Sequence, residues 1–169
     1  MDKQVSRNGL PIVVGVDGSP ESVLALRWAE KLADPLGTVI KAVCTWQMEV
    51  VYGPYAISEW DGEPAAQHML AAALVDAFGD KPPAGLIGEC RRGQPAKVLV
   101  DEGKSAQMII VGSRGHGGFA GMLLGSVSSA CAAHASCPVL VVHGAMEHEA
   151  DPEVATEGNE RRAADEPAG

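Results

Sequence analysis

The chain has 169 residues, 46% of them apolar, and a net charge of −9. That length suits one domain with a single sizeable core, and no continuous apolar run approaches the length of a membrane span. The acidic balance argues against a general nucleic-acid binder, which needs a basic face to meet phosphates.

Residues 1–9 are short and polar, without the apolar core of a secretion signal, which predicts a cytoplasmic chain. The run LPIVVGVD (10–17), rich in β-branched residues, predicts a fully buried first strand. Ser19, Pro20 and Glu21 supply an N-cap, a proline at the first helical position and an early acid. Ala25, Trp28, Ala29, Leu32 and Leu36 follow at helical spacing, and Gly37 stops that helix. TVIKAVCTW (38–46) is a second strand. Residues 47–64, with Gly53, Pro54, Gly62 and Pro64, predict a loop. Trp46, Tyr52, Tyr55 and Trp60 put four of the seven aromatics in or beside it, as a lid, a protein contact or side chains folded back on the core.

The next helix carries Leu70, Ala73, Leu74, Ala77 and Phe78 along one side and ends at Pro82-Pro83. GLIGECRRG (85–93) is a third strand, weakened by Gly88. Pro95 opens a short helix through about Glu102, with Ala96, Leu99 and Val100 facing inward. AQMIIVG (106–112) is a fourth strand, Gly125 to about Ala135 a fourth helix, and CPVLVVHG (137–144) a fifth strand. Such alternation predicts an α/β fold, a doubly wound five-stranded parallel sheet in order 3-2-1-4-5 with helices on both faces. The domain is complete by Gly144, leaving 1–9 as an N-terminal segment, 10–144 as the domain and 145–169 as a tail. That tail holds eight acids against two arginines and no aromatic residue, a composition that predicts disorder.

Cys44 and Cys90 fall in strands and predict buried thiols, and no disulfide is expected. Cys131, His134 and Cys137 make a C-x2-H-x2-C run, but three ligands at that spacing do not converge from one regular helix.

The chemistry concentrates in GSRGHGGFAGMLLGS (112–126), six glycines in fifteen residues between a buried strand and a helix start. In an open parallel sheet, ligands bind beyond the carboxyl ends of the strands where the strand order reverses. In order 3-2-1-4-5 the first strand, ending at Asp17, and the fourth, ending at Gly112, flank that point. Glycine lets backbone N–H groups approach a ligand, and Gly125-Ser126 stands at a helix N-terminus, which favours an anion. Arg114 and His116 add positive charge, and the Ser126 hydroxyl is free either to cap the helix or to donate to a phosphate. The loop therefore reads as a phosphate cradle, although glycine-rich strand–helix loops also occur as plain connections. GKS (103–105) lacks the upstream glycine of a P-loop, and GHGGFA (115–120) follows the fourth strand, where a dinucleotide fingerprint follows the first.

The spacing Gly112-x2-Gly115-x9-Gly125-Ser126, with VVGVDGS (13–19) and CPVLVV (137–142), resembles the ATP-binding universal stress proteins over residues 10–144. The resemblance implies an adenine nucleotide alpha hydrolase-like fold, usually dimeric, that binds ATP at the switch point. Carried over by motif, Gly15, Val16 and Val43 line the adenine pocket, and Asp17 lies at the ribose or at a bound Mg or Mn ion. The lesser reading of Asp17 is a strand-end residue capping the turn into the helix, and Val43 is equally a core valine. Gly112, Ser113, Arg114, Gly115, His116, Gly117 and Gly118 begin the phosphate loop; Gly125, Ser126 and the Val127 N–H finish it. No catalytic base is evident, so the implied role is a nucleotide-dependent regulator of the stress response. In that role bound ATP alters a surface seen by an unidentified protein partner. The alternatives are a nucleotide-independent interaction module and a slow ATPase or autophosphorylating enzyme. An enzyme splitting ATP at the α-phosphate is disfavoured, because DGSPES (17–22) lacks the paired glycine of its loop. The apolar fifth strand at the sheet edge predicts a homodimer through residues 138–142.

Overall fold

Strand and helix alternate through the computed structural model, which describes residues 9–47, 62–115 and 123–144. The elements are β1 (Ile12–Val16), α1 (Pro20–Ala33), β2 (Ile40–Trp46), α2 (Glu63–Phe78), β3 (Ile87–Arg92), α3 (Pro95–Glu102), β4 (Met108–Gly112), α4 (Ser126–His134) and β5 (Val139–Val142). The strands form one sheet in order β3-β2-β1-β4-β5, and every neighbouring pair is parallel. This is the doubly wound arrangement expected from the sequence.

Successive side chains of a strand point to opposite faces, so each strand feeds two cores. Ile12, Val14 and Val16 of β1 pack with Leu26 and Ala29 of α1 and Leu70 of α2. Val13 of β1 packs on the other face with Val43, Leu99, Ile109, Val111 and Cys131, beneath α3 and α4. Buried β-branched runs of this kind are what a central parallel sheet requires.

The helix ends follow local chemistry. Ser19 caps α1, its Oγ accepting the Ser22 N–H at 3.2 Å, with Pro20 behind it. The helix closes at Ala33, short of the expected Gly37. The chain then continues through a hydrogen-bonded turn, with the Leu36 N–H donating to the Leu32 carbonyl at 3.2 Å, and Leu36 itself stands exposed. The expected loop at 47–64 also shortens. Glu63 and Pro64 belong to α2, because a proline in the first turn loses no helical hydrogen bond. The remainder of that loop, with Tyr52, Tyr55 and Trp60, lies outside the described residues, as does the acidic tail. Gly79 ends α2 before Pro82-Pro83 is reached, at φ +59, and its N–H bonds the Val75 carbonyl at 2.8 Å. Among the described residues no helix is long and apolar enough to cross a membrane.

Candidate functional site

Strand order reverses between β1 and β4, and a cavity of about 630 Å³ opens beyond their carboxyl ends. That volume lies within the range of about 300–1,000 Å³ usual for small-molecule sites. Gly15 forms part of the cavity floor. A Cβ there would lie 2.8 Å from Leu99 Cδ1 and 3.1 Å from Val111 Cγ1, so the missing side chain lets those two walls pack against the strand backbone. Val16, Val43, Thr45, Met69, Pro95, Leu99 and Val111 supply most of the remaining wall.

The polar mouth is built from three stretches of chain. Asp17 follows β1, and its Oδ1 accepts the Ser19 N–H at 3.0 Å and the Ser19 hydroxyl at 2.5 Å. One carboxylate oxygen therefore does the turn-capping work weighed from the sequence. The other, Oδ2, faces Gly115 so closely that a Cβ on Gly115 would collide with it.

The second stretch leaves β4. Gly112 lines the cavity, but its glycine character has another cause. A Cβ would lie 2.6 Å from Glu21 Cβ and 3.1 Å from the Glu21 carbonyl carbon, so α1 packs where a side chain would stand. Ser113 is buried and does not line the cavity. Its N–H donates to the Val142 carbonyl at 2.7 Å and its carbonyl accepts the Gly125 N–H at 2.7 Å, so it holds the loop from behind. Arg114 and Gly115 are exposed and line the mouth, and Arg114 has no acidic partner among the described residues. His116, Gly117 and Gly118 lie outside the described residues.

The third stretch is the start of α4. Gly125 is its N-cap, so Ser126 does not cap the helix as the sequence allowed. Ser126 is the first helical residue, exposed at the cavity. The first intrahelical bond runs from the Ser129 N–H to the Gly125 carbonyl at 3.0 Å. The N–H groups of Ser126, Val127 and Ser128 precede it and have no acceptor within the helix. They carry the positive end of the helix dipole to the same mouth as Arg114.

The cavity therefore brings together Gly15, Val16, Asp17, Val43, Gly112, Arg114, Gly115, Gly125, Ser126 and Val127 of the residues singled out from the sequence. Sequence reasoning missed Ser19, Ser22, Thr45, Met69, Pro95, Leu99, Val111 and Ser128. Two of these had a signal. Thr45 lies two residues beyond Val43 and so on the same strand face, and Leu99 had been read as inward-facing on α3. Nothing marks Met69 in advance.

The thiols offer no chemistry here. Burial, with Cys90 alongside, pushes Cys44 up to about 12, and burial with Cys137 alongside pushes Cys131 up to about 11, so both stay protonated and unreactive at neutral pH. His134 is exposed while Cys131 and Cys137 are buried, so the three side chains of that run do not converge. No group of three metal-ligating side chains occurs among the described residues.

A model of the universal stress protein family matches residues 10–143, nearly all of the folded chain. The chain belongs to this family. A universal stress protein of Mycolicibacterium smegmatis is 37% identical over 142 residues, 83% of this chain and 48% of that protein. One from Mycobacterium tuberculosis is 36% identical over 142 residues, 80% and 46%. The chain thus spans about half the length of the curated universal stress proteins that it matches. A universal stress protein crystallised in complex with cAMP superposes with a TM-score of 0.61 at 25% identity, over 80% of this chain and 98% of that one. An Archaeoglobus fulgidus universal stress protein in complex with dAMP shares the fold, with a TM-score of 0.52, 22% identity and 80% and 98% coverage. So does one from Arabidopsis thaliana with AMP bound, with a TM-score of 0.51, 24% identity and 85% and 98% coverage.

Proposed function

We propose that this universal stress protein binds an adenine nucleotide, ATP foremost, in the crevice between β1 and β4, and acts as a nucleotide-dependent regulator in the stress response. One observation carries the reading. Two stretches of main chain, Gly112–Gly115 and Gly125–Val127, meet at the mouth of a mostly apolar cavity with a cation, Arg114, beside them. Apolar walls suit a purine, and amides at a helix start suit phosphates. The cAMP, dAMP and AMP held by structural relatives support the adenine class. The Gly112-x2-Gly115-x9-Gly125-Ser126 spacing supports a triphosphate.

Asp17 is the residue that would take a ribose hydroxyl or a divalent cation. Among the described residues no second acid stands with it in the cavity, so Mg or Mn held there would draw its other oxygens from phosphate and water. Regulation then follows from differential binding. Nucleotide favours one arrangement of the loop, and a protein partner reads that arrangement. A homodimer through residues 138–142 fits the same reading, because β5 is an edge strand with Val139, Leu140 and Val141 only half-buried.

Mass spectrometry of the purified chain after denaturation, with calorimetry of the nucleotide-free chain, tests the site. ATP, ADP or AMP should co-purify, and ATP should bind with saturable heat below millimolar concentration. No bound nucleotide and no heat at millimolar ATP, ADP or AMP would overturn the reading in favour of a nucleotide-independent interaction module.

A further inference from the structure

The crevice works only if the end of β4 and the start of α4 hold their amides toward one point. Nothing in the chain between them is short enough to enforce this, since Ser113 and Ser128 are 15 residues apart. The junction is closed by hydrogen bonds at the crevice wall, where Ser128 is one of the lining residues. The Ser113 carbonyl accepts the Gly125 N–H at 2.7 Å and the Ser128 hydroxyl at 3.1 Å. The same Ser128 Oγ lies 3.0 Å from the Gly125 carbonyl. Its single proton is therefore shared between one carbonyl of the β4 loop and one of the helix N-cap. Ser128 is 2% exposed, so water does not replace it there.

A serine that bonds back onto its own helix turn is an ordinary local feature. The bond to Ser113 is not local and has no role in capping, where a serine oxygen accepts an N–H. The approach is close as well, for a Cβ on Gly125 would lie 3.4 Å from the Ser113 carbonyl oxygen. Ser126, by contrast, is exposed at the cavity mouth and has no such bond among the described residues.

We propose that Ser128 is a positioning residue for phosphate binding. Its hydroxyl ties the Gly112–Gly115 loop to the first turn of α4, so that amides from both face one phosphate group. This rests on the nucleotide reading above and extends it to a residue that acts through the loop. Its effect falls on the phosphate end of a ligand, while Gly15, Val43 and Leu99 serve the base.

The test uses the full chain with Ser128→Ala and with Ser128→Cys, which keeps the volume and weakens the donor. Amide exchange read by NMR on the nucleotide-free protein should quicken at Gly125 and stay unchanged in β1. ATP affinity should fall about fivefold, the usual scale for one buried hydrogen bond, while adenosine affinity, measured by competition, holds. Wild-type exchange at Gly125 in the alanine variant overturns the proposal, as does equal weakening of ATP and adenosine. If the alanine variant does not fold, the cysteine variant gives the same readings. A wild-type chain that takes up no nucleotide overturns the nucleotide reading and this one with it. Binding by wild type with undiminished ATP affinity in the variants overturns this one alone.

Discussion

The two faces of the sheet are covered unequally. One face carries α1 and α2, helices of 14 and 16 residues, over a continuous core that includes Ile12, Val14, Leu26, Ile40 and Leu70. The other carries α3 and α4, of 8 and 9 residues, over a smaller core in which the place after Val13 on β1 falls to Gly15. Gly15 lines the cavity, with Leu99 and Val111 packed against its backbone where a side chain would stand, so the cavity lies on the face with the shorter helices. Ion pairs help to hold that face together. Lys41 of β2 reaches Glu102, the last residue of α3, at 2.7 Å and Glu89 of β3 at 2.7 Å, while Arg91 reaches Glu102 at 3.2 Å.

Truncation should expose the inequality most strongly. Leu26→Ala, in the thick layer, should cost about 2–5 kcal/mol by chemical denaturation. Leu99→Ala, at the cavity wall, should cost less, about 1–2 kcal/mol, because solvent can enter the enlarged space. Equal losses would break the contrast. Adding a methyl group sharpens it. Gly112→Ala meets helix backbone and should lose about 1–3 kcal/mol of stability. Gly15→Ala meets only the tips of Leu99 and Val111, 2.8 and 3.1 Å away, and should cost under about 1.5 kcal/mol while weakening nucleotide binding. A Gly15→Ala chain that binds ATP as tightly as wild type would show that the floor of the crevice is not where the base sits.

The smallest effect concerns acid. Hydrogen bonds from Lys41 and Arg91 hold the Glu89 carboxyl below its ordinary 4.5, against a lesser effect of burial. A lowered value in the folded state means stabilisation that is complete above the ordinary value and is lost as pH falls through the lowered one. Glu89→Gln should therefore flatten the acid limb of a stability–pH curve, and only slightly, since the side chain is about a third exposed. An unchanged limb would remove the ion pairs from the account of the thin face.

Much of this was legible in the sequence, because strand runs, caps and breakers are local signals. The start of α3 at Pro95 and the capping of α1 by Ser19 follow directly from them. The reason for a glycine was harder to read. Gly112 looks like part of a phosphate loop, yet the contact that forbids a side chain comes from Glu21, which lies far away in sequence. The same holds for Met69, which reaches the cavity from a helix whose start carries the glycine and proline of a loop. Ser128 carries no local signal of its own, and only the fold makes it a buried donor to Ser113. Local pattern finds the stretches of chain; only the assembled sheet says which atoms face the ligand and which face one another.

The bond from the Ser113 N–H to the Val142 carbonyl joins the outermost strand to the start of the loop after β4. On the proposed nucleotide reading, whatever leans on that strand would act on the ligand loop one peptide away. Thermodynamic reciprocity makes the traffic two-way: a filled crevice stiffens the flank of the sheet, and a covered flank steadies the crevice.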